Sequence, residues 1–280
     1  MRLSLQHGRF LDFSGTAHVM GILNCTPDSF YSPSRVDLPS LVDVAAEMIR
    51  DGASILDIGG ESTRPGSSYV SIEEELERVI PAVAALRSRW DVVLSVDTRK
   101  AIVARTAVDA GADIINDVAA LSDDLDMAEF CASAGLPVVL MHKKGIPESM
   151  QNGPYYDDCL SEVLNFLDER ISAAKSAGIA ADKIILDPGI GFGKRLEDNL
   201  ELLAQLDVLV GKGFPVLVGL SRKNFIGQLT GRAVEDRLAG SIAALLFARY
   251  RGAVIFRVHD VAASVDALRV FDCLTKGGTC

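Results

Sequence analysis

Eight times along this chain a short run rich in Val, Ile and Leu stops abruptly at polar residues, and a helical pattern follows. The runs cover residues 17–23, 54–58, 92–96, 114–115, 138–141, 184–186, 215–220 and 254–256. They end in turn at Asn24, Gly59-Gly60-Glu61, Asp97-Thr98, Asn116-Asp117, His142-Lys143-Lys144, Asp187-Pro188-Gly189, Ser221-Arg222-Lys223 and Arg257-Val258-His259-Asp260. Strands buried on both faces read as near-continuous apolar runs, and strands that alternate with helices call for a parallel sheet. Eight such units predict an α/β fold, a closed (β/α)8 TIM barrel; an open doubly wound sheet is the second architecture this alternation allows. Leu3–Leu5 and Phe10–Phe13, around Gly8, predict an N-terminal β-hairpin that lids the bottom of the barrel. Ser71 and Glu74 form a capping-box pattern before a helix. Val265, Leu268 and Val270 predict the buried face of the last helix. No linker or low-complexity tract divides residues 1–280, so a single barrel domain is expected.

The balance of charge and cysteine narrows the chemistry. A formal net charge of −10 argues against nucleic acid as a partner. It leaves a small anionic ligand open, because local charge can oppose the global sign. Five scattered cysteines (25, 131, 159, 273 and 280) show no C-x-x-C spacing and read as reduced thiols of a cytoplasmic protein. The opening residues, Arg2 to Phe13, are mixed in polarity, so no leader is expected, and no apolar run is long enough for a membrane partner.

In a barrel of this kind the active-site face lies at the C-terminal strand ends. Two chemistries are mixed among the residues placed there. Lys223, Arg257 and His259 fall on neighbouring strand ends, and Arg64 sits on a glycine-flanked loop with Thr63. In an acidic protein such a cluster points to a phosphate or carboxylate ligand. The plainer reading pairs each cation with a nearby aspartate for stability. Asp97, Asn116 and Asp187 end strands that should be dry inside, and buried carboxylates need partners. A flat heterocycle with adjacent N–H donors suits them, an amide serving its mixed donor and acceptor edge. Asp57, followed by Ile58-Gly59-Gly60, reads instead as a turn cap. The glycine run 189–193 lacks dinucleotide-fingerprint spacing, and Ser221 has no hydrolase motif around it. Asn24, with Asp28, could hold one Mg²⁺ whose other ligands are phosphate oxygens and water.

Long motifs then carry a resemblance over nearly the whole chain. Gly21-Ile-Leu-Asn-Cys-Thr-Pro-Asp-Ser-Phe30, Asp57-Ile-Gly-Gly-Glu-Ser-Thr-Arg-Pro-Gly66, Ser95-Val-Asp-Thr98, Ile115-Asn-Asp117, Leu186-Asp-Pro-Gly-Ile-Gly-Phe-Gly-Lys194, Val218-Gly-Leu-Ser-Arg-Lys223 and Arg257-Val-His-Asp260 resemble the dihydropteroate synthase family. The resemblance implies a cytoplasmic, usually dimeric barrel enzyme of folate synthesis. It joins the pterin of a dihydropterin methyl diphosphate to 4-aminobenzoate, releases diphosphate, and is a sulfonamide target. By that resemblance Asn24 is the Mg²⁺ and diphosphate ligand. Arg257 and His259 anchor the diphosphate, with Thr63 joining from its loop and Val258 in the same binding set. Asp97, Asn116, Asp187 and Lys223 bind the pterin, and Met141 walls its pocket. Arg64, Pro65, Phe192 and Ser221 serve 4-aminobenzoate. Asp97, Asn24, Lys223, Arg257 and His259 are thereby the expected catalytic set, acting in an SN1-like substitution. Two departures stand out. Tyr31-Ser32-Pro33-Ser34-Arg35 replaces the family's usual Ser-Asp-Gly-Gly, and Cys25 replaces an aliphatic residue. A pterin-dependent methyltransferase domain and a non-catalytic paralogue share the barrel, but the former would not need the anionic-substrate set Thr63, Arg64, Lys223 and Arg257.

Overall fold

The computed structural model describes residues 1–25, 31–32, 35–61, 69–145, 150 and 153–275. Eight parallel strands form one sheet: β1 (His18–Asn24), β2 (Ile55–Gly59), β3 (Val93–Asp97), β4 (Ile114–Asp117), β5 (Val138–Met141), β6 (Ile184–Asp187), β7 (Leu217–Gly219) and β8 (Ile255–Val258). They lie in the order β6-β5-β4-β3-β2-β1-β8-β7. A parallel bridge between Leu186 and Val216 and the Leu186 N–H bond to the Pro215 carbonyl, 2.9 Å, join the two ends. The sheet is therefore a closed (β/α)8 barrel, and the open-sheet alternative is excluded.

Inside the barrel the side chains stack in layers, because inward positions recur every second residue along a strand. The lowest layer takes one apolar residue from each strand: Met20, Ile55, Val93, Ile114, Val139, Ile185, Leu217 and Ile255. Beneath it packs the predicted hairpin, Arg2–Ser4 against Phe10–Asp12, through Leu3, Leu5, Leu11 and Phe13. Arg9, paired with buried Asp113 and at 3.1 Å with Asp91, holds the hairpin to the strand starts. Two residues further along each strand the inward position holds Ile22, Asp57, Ser95, Asn116, Met141, Asp187, Gly219 and Arg257, staggered between strands so that Ser95 lies level with Ile114 and Arg257 with Met20. Polarity thus enters the barrel in its second layer, directly above a sealed apolar floor.

The outer core lies between strands and helices. The helices are α1 (Leu38–Arg50), α2 (Ile72–Arg87), α3 (Ala101–Asp109), α4 (Asp126–Ser133), α5 (Cys159–Ser176), α6 (Leu196–Ala204), α7 (Leu206–Val210), α8 (Asn224–Thr230), α9 (Leu238–Tyr250) and α10 (Val261–Thr275). Ser71 caps α2, its Oγ accepting the Glu74 N–H at 3.2 Å, while the Glu74 carboxylate turns to Arg78. In α10, Val265 and Leu268 are buried but Val270 is exposed, so the last helix turns its face earlier than the spacing suggested. Cys25, Cys131 and Cys159 are buried free thiols. Cys273 is disulfide-bonded, which departs from the all-reduced reading at that position. Among the described residues no helix is long and apolar enough to cross a membrane.

Candidate active site

Register brings the polar strand ends into one row. Asn24 pairs with Gly59, Gly59 with Asp97, and Asp97 with Asn116 across β1 to β4. Asn24 Oδ1 and Asp97 Oδ2 each lie 3.9 Å from where a Cβ on Gly59 would stand. The glycine therefore leaves a gap between an amide and a carboxylate at the mouth of the barrel.

Arg257 reaches across this mouth from β8. Its Nε donates to Asp57 Oδ2 at 2.6 Å and its Nη2 to Asp97 Oδ2 at 2.9 Å. Asn116 Nδ2 donates to the same Asp57 oxygen at 3.1 Å. A carboxylate only accepts, so Asn116 must turn its NH2 to Asp57 and its Oδ1 toward the cavity. Two of Arg257's nitrogens are occupied, and Nη1 has no protein partner among the described residues. Asp57 is fully buried and is no turn cap. It is the hub that orients Asn116 and Arg257, and the expectation from the following glycines is corrected here. Asp57 Oδ1 and its register neighbour Ser95 Oγ are buried without hydrogen-bond partners among the described residues. Buried polar atoms are normally satisfied, so this layer is built to receive a polar ligand or water.

One guanidinium serves two carboxylates, and the electrostatics follow. Burial pushes Asp97 up to about 7; Arg257 opposes the rise and the charge of Asp57 adds to it. Burial likewise raises Asp187 to about 6, against the Gly189 N–H at 2.7 Å and the charges of Lys223, Lys194 and Arg257. Lys223 Nζ stands 4.1 Å above the Phe192 ring, a cation–π contact that brings the β7 loop over the β6 loop. Met141 is buried in register with Asp187 on β5. At the rim, His259 Nδ1 lies 3.1 Å from Ser221 Oγ. Arg222, in a left-handed conformation at φ 57, clasps Asp260 with two nitrogens at 2.7 and 2.9 Å. That clasp ties the β7 loop to the β8 loop and so sets Ser221 beside His259.

The model of a family described as pterin binding enzymes matches residues 20–259. Dihydropteroate synthase of Escherichia coli K12 is 49% identical over 275 residues, spanning 97% of this chain and 96% of that one. The chain belongs to the dihydropteroate synthase family. A Yersinia pestis dihydropteroate synthase structure with a sulfonamide drug complex is 45% identical at a TM-score of 0.93, covering 99% of this chain and 100% of that chain. A Xanthomonas albilineans dihydropteroate synthase with 4-aminobenzoic acid is 48% identical at 0.91, covering 98% and 99%.

Within this dihydropteroate synthase barrel, Asn24, Asp97, Asn116, Met141, Asp187, Phe192, Lys223, Arg257, Ser221 and His259 gather at one mouth. Val258 does not: it alternates with Arg257 and His259, and its side chain packs in the outer core between strand and helices. Its expected place in the binding set is corrected to the backbone at most. His142, at the end of β5, also turns away from the mouth and packs edge-on against Phe166. Asp117 faces away too, its carboxylate accepting Ala119 and Leu121 N–H at 2.8 Å to hold a left-handed turn. Thr63, Arg64, Pro65 and Asp28 lie outside the described residues. The stems of their loop are tied down: Lys100 Nζ holds Glu61 at 2.6 Å, the Val70 carbonyl at 2.7 Å and buried Glu75 at 2.5 Å. Sequence reasoning missed Asp57, Lys100 and the Arg222–Asp260 clasp. For Asp57 a signal existed, since it falls two residues after the inward Ile55.

Proposed function

We propose that this chain is a dihydropteroate synthase that condenses (7,8-dihydropterin-6-yl)methyl diphosphate with 4-aminobenzoate, giving 7,8-dihydropteroate and diphosphate. The carrying observation is Arg257 held by Asp57 and Asp97 inside a polar second layer. The layer offers carboxylates and an amide oxygen to a flat N–H-rich ring, and one edge of a guanidinium to an anion. Both curated and solved relatives named above bear this activity's name.

The residues divide the work by charge. The pterin N–H edge meets the Asp187 carboxylate and the Asn116 oxygen. As the carbon–oxygen bond to diphosphate stretches, negative charge grows on the leaving oxygens, and Arg257, with His259 at the rim, stabilises it there. Positive charge grows on the methylene and spreads into the pterin ring. The Asp97 carboxylate favours that cation, so the substitution is SN1-like. Lys223 serves the pterin side and Phe192, beneath it, the 4-aminobenzoate side; the amine of 4-aminobenzoate attacks the cation and then gives up a proton.

Mg²⁺ fits the donor set: Asn24 offers a single neutral oxygen at the mouth beside Asp97. The described residues hold no group of three His, Cys, Asp or Glu that would form a protein cage. An ion that takes most ligands from phosphate and water suits such a site. When bound it supplies charge stabilisation to the diphosphate. The test is diphosphate release from dihydropterin diphosphate, with and without 4-aminobenzoate and with and without Mg²⁺. Release matched by dihydropteroate formation and lost on chelation is expected. Pterin binding with no release would turn the reading toward methyl transfer or a non-catalytic pterin binder.

We further propose a cytoplasmic homodimer. Val208, Leu229, Val234, Leu238, Phe247 and Tyr250 are exposed along the α7 to α9 side and supply apolar surface for a second copy. Sedimentation equilibrium checks it, and a monomer at micromolar concentration rejects it.

A further inference from the structure

Lys194 ends the glycine-rich turn after β6, and the proposed reaction makes no use of it. It is only 3% exposed. Its Nζ lies 2.8 Å from His142 Nδ1, 2.9 Å from the Gly189 carbonyl, 3.3 Å from that of Phe192 and 3.4 Å from that of His142. Burying an amino group is costly unless it is hydrogen-bonded, and here backbone and imidazole acceptors surround it. Burial, with Lys194 alongside, keeps His142 neutral by lowering it to about 2.

The turn itself leaves no slack. Gly189, Gly191 and Gly193 all have left-handed φ, at 66°, 85° and 62°. A Cβ on Gly189 would sit 1.8 Å from the His142 carbonyl oxygen, and one on Gly193 2.1 Å from that of Lys144. Only glycine permits so close an approach of the β6 loop to the β5 loop. Asn199 Oδ1 accepts the Gly191 N–H at 2.7 Å, and Tyr156 donates to the Gly193 carbonyl at 2.7 Å. Lys194 folds back under this turn and draws its two ends and the β5 loop to one nitrogen. What the turn presents on its other side is Phe192, beneath Lys223.

We propose that Lys194 is a positioning residue for the aromatic amine substrate. By gathering the carbonyls of Gly189, Phe192 and His142 it sets the Phe192 ring where it lies beneath Lys223. This rests on the reading that Phe192 faces 4-aminobenzoate. On the pterin side Lys194 contributes charge near Asp187 without a hydrogen bond to its carboxylate. Asp187 keeps its place through β5, in register with Met141 and with its carbonyl accepting the His142 N–H at 3.0 Å.

A double-mutant cycle tests the proposal: wild type, Lys194→Met, Phe192→Ala and the double variant. Each is read for kcat, the 4-aminobenzoate KM, pterin Kd and cooperative thermal unfolding. A contact that holds the aromatic amine equally in the ground and transition states raises KM and spares kcat when it is lost. Each single variant is therefore expected to raise the KM about tenfold. The double variant should be little worse than either, because residues acting through one another are not additive. Pterin Kd and kcat should stay within about threefold. An unchanged KM in Lys194→Met, or additive effects, overturns the proposal while leaving Phe192 in the site. An unchanged KM in Phe192→Ala overturns the reading of Phe192 itself, and this proposal with it. If Lys194→Met loses cooperative unfolding, Lys194→Gln, which keeps an N–H donor, takes its place in the cycle. Loss in both assigns Lys194 to the fold and overturns the positioning role.

Discussion

Replacing Arg257 with methionine is expected to abolish turnover and destabilise the barrel together. The guanidinium is the shared partner of Asp57 and Asp97, which are 0% and 5% exposed as side chains, while Arg257 itself is 20% exposed. Removing one member of a buried ion-pair group strands the others, at a cost of about 3 kcal/mol, or roughly 6 °C in Tm. Catalysis loses a donor aimed at the leaving diphosphate, and such donors are worth about a hundred- to a thousandfold in rate. Because Asp97 also loses its partner, kcat/KM should fall by about a thousandfold or more. Arg257→Lys should recover little, since an ammonium cannot bridge two carboxylates and still present an edge to an anion. Adding Asp57→Asn to Arg257→Met separates the two effects. Stability should partly return, because a stranded charge is gone, while activity stays lost. Turnover within about threefold of wild type in Arg257→Met would remove this residue from the leaving-group role.

The barrel was legible because its evidence is periodic. Eight apolar runs, each followed by a helical pattern, leave little choice of architecture, and the hairpin's alternation correctly placed Leu3 and Leu11 under the floor. What the runs did not reveal is which residues face inward. Asp57 looked like a cap because Ile58-Gly59-Gly60 follows it, and the resemblance carried Val258 into the binding set along with Arg257 and His259. The first error comes from reading a strand end as a loop. Asn24, Asp97, Asp187 and Arg257 all lie within strands, where the side-chain period of two decides the face. Counting by twos from Ile55 and Ile255 places Asp57 and Arg257 inward and turns Val258 outward.

Long-range pairings left no local trace. His142 meets Lys194 across 52 residues, and Arg257 meets Asp57 across 200. Composition marks such residues as polar and strand-ending, yet only closure of the barrel selects their partners. Of the anion set, Lys223, Arg257 and His259 stand at or just beyond neighbouring strand ends while Arg64 lies outside the described residues, and the plainer reading holds in part: Arg257 does pair with aspartates. Both functions are compatible because the guanidinium has three nitrogens and the carboxylates take two.

Asp97→Asn should change the pH dependence of catalysis as well as its rate. Burial holds the Asp97 carboxyl up to about 7, with Arg257 pulling the other way and Asp57 adding to the rise. The ionised form is the one that favours a developing cation, so kcat should climb as pH rises through neutrality and level off above it. In Asp97→Asn this acid limb should vanish, and kcat should fall about a hundredfold. Diphosphate binding should be nearly intact, since Arg257 keeps its bond to Asp57. Stability carries the opposite sign. Between the ordinary carboxylate range and about 7 the folded state holds a proton that the unfolded chain has released. Stability therefore declines as pH rises through that window, and the decline is complete above the folded value. Asp187, raised to about 6, and Asp117, also raised to about 6 by burial, contribute the same slope and remain in the variant. Asp97→Asn should thus flatten the stability curve only in part but flatten the kcat limb fully. A limb that persists unchanged in the asparagine variant would assign it to another group, with Asp187 the next to replace.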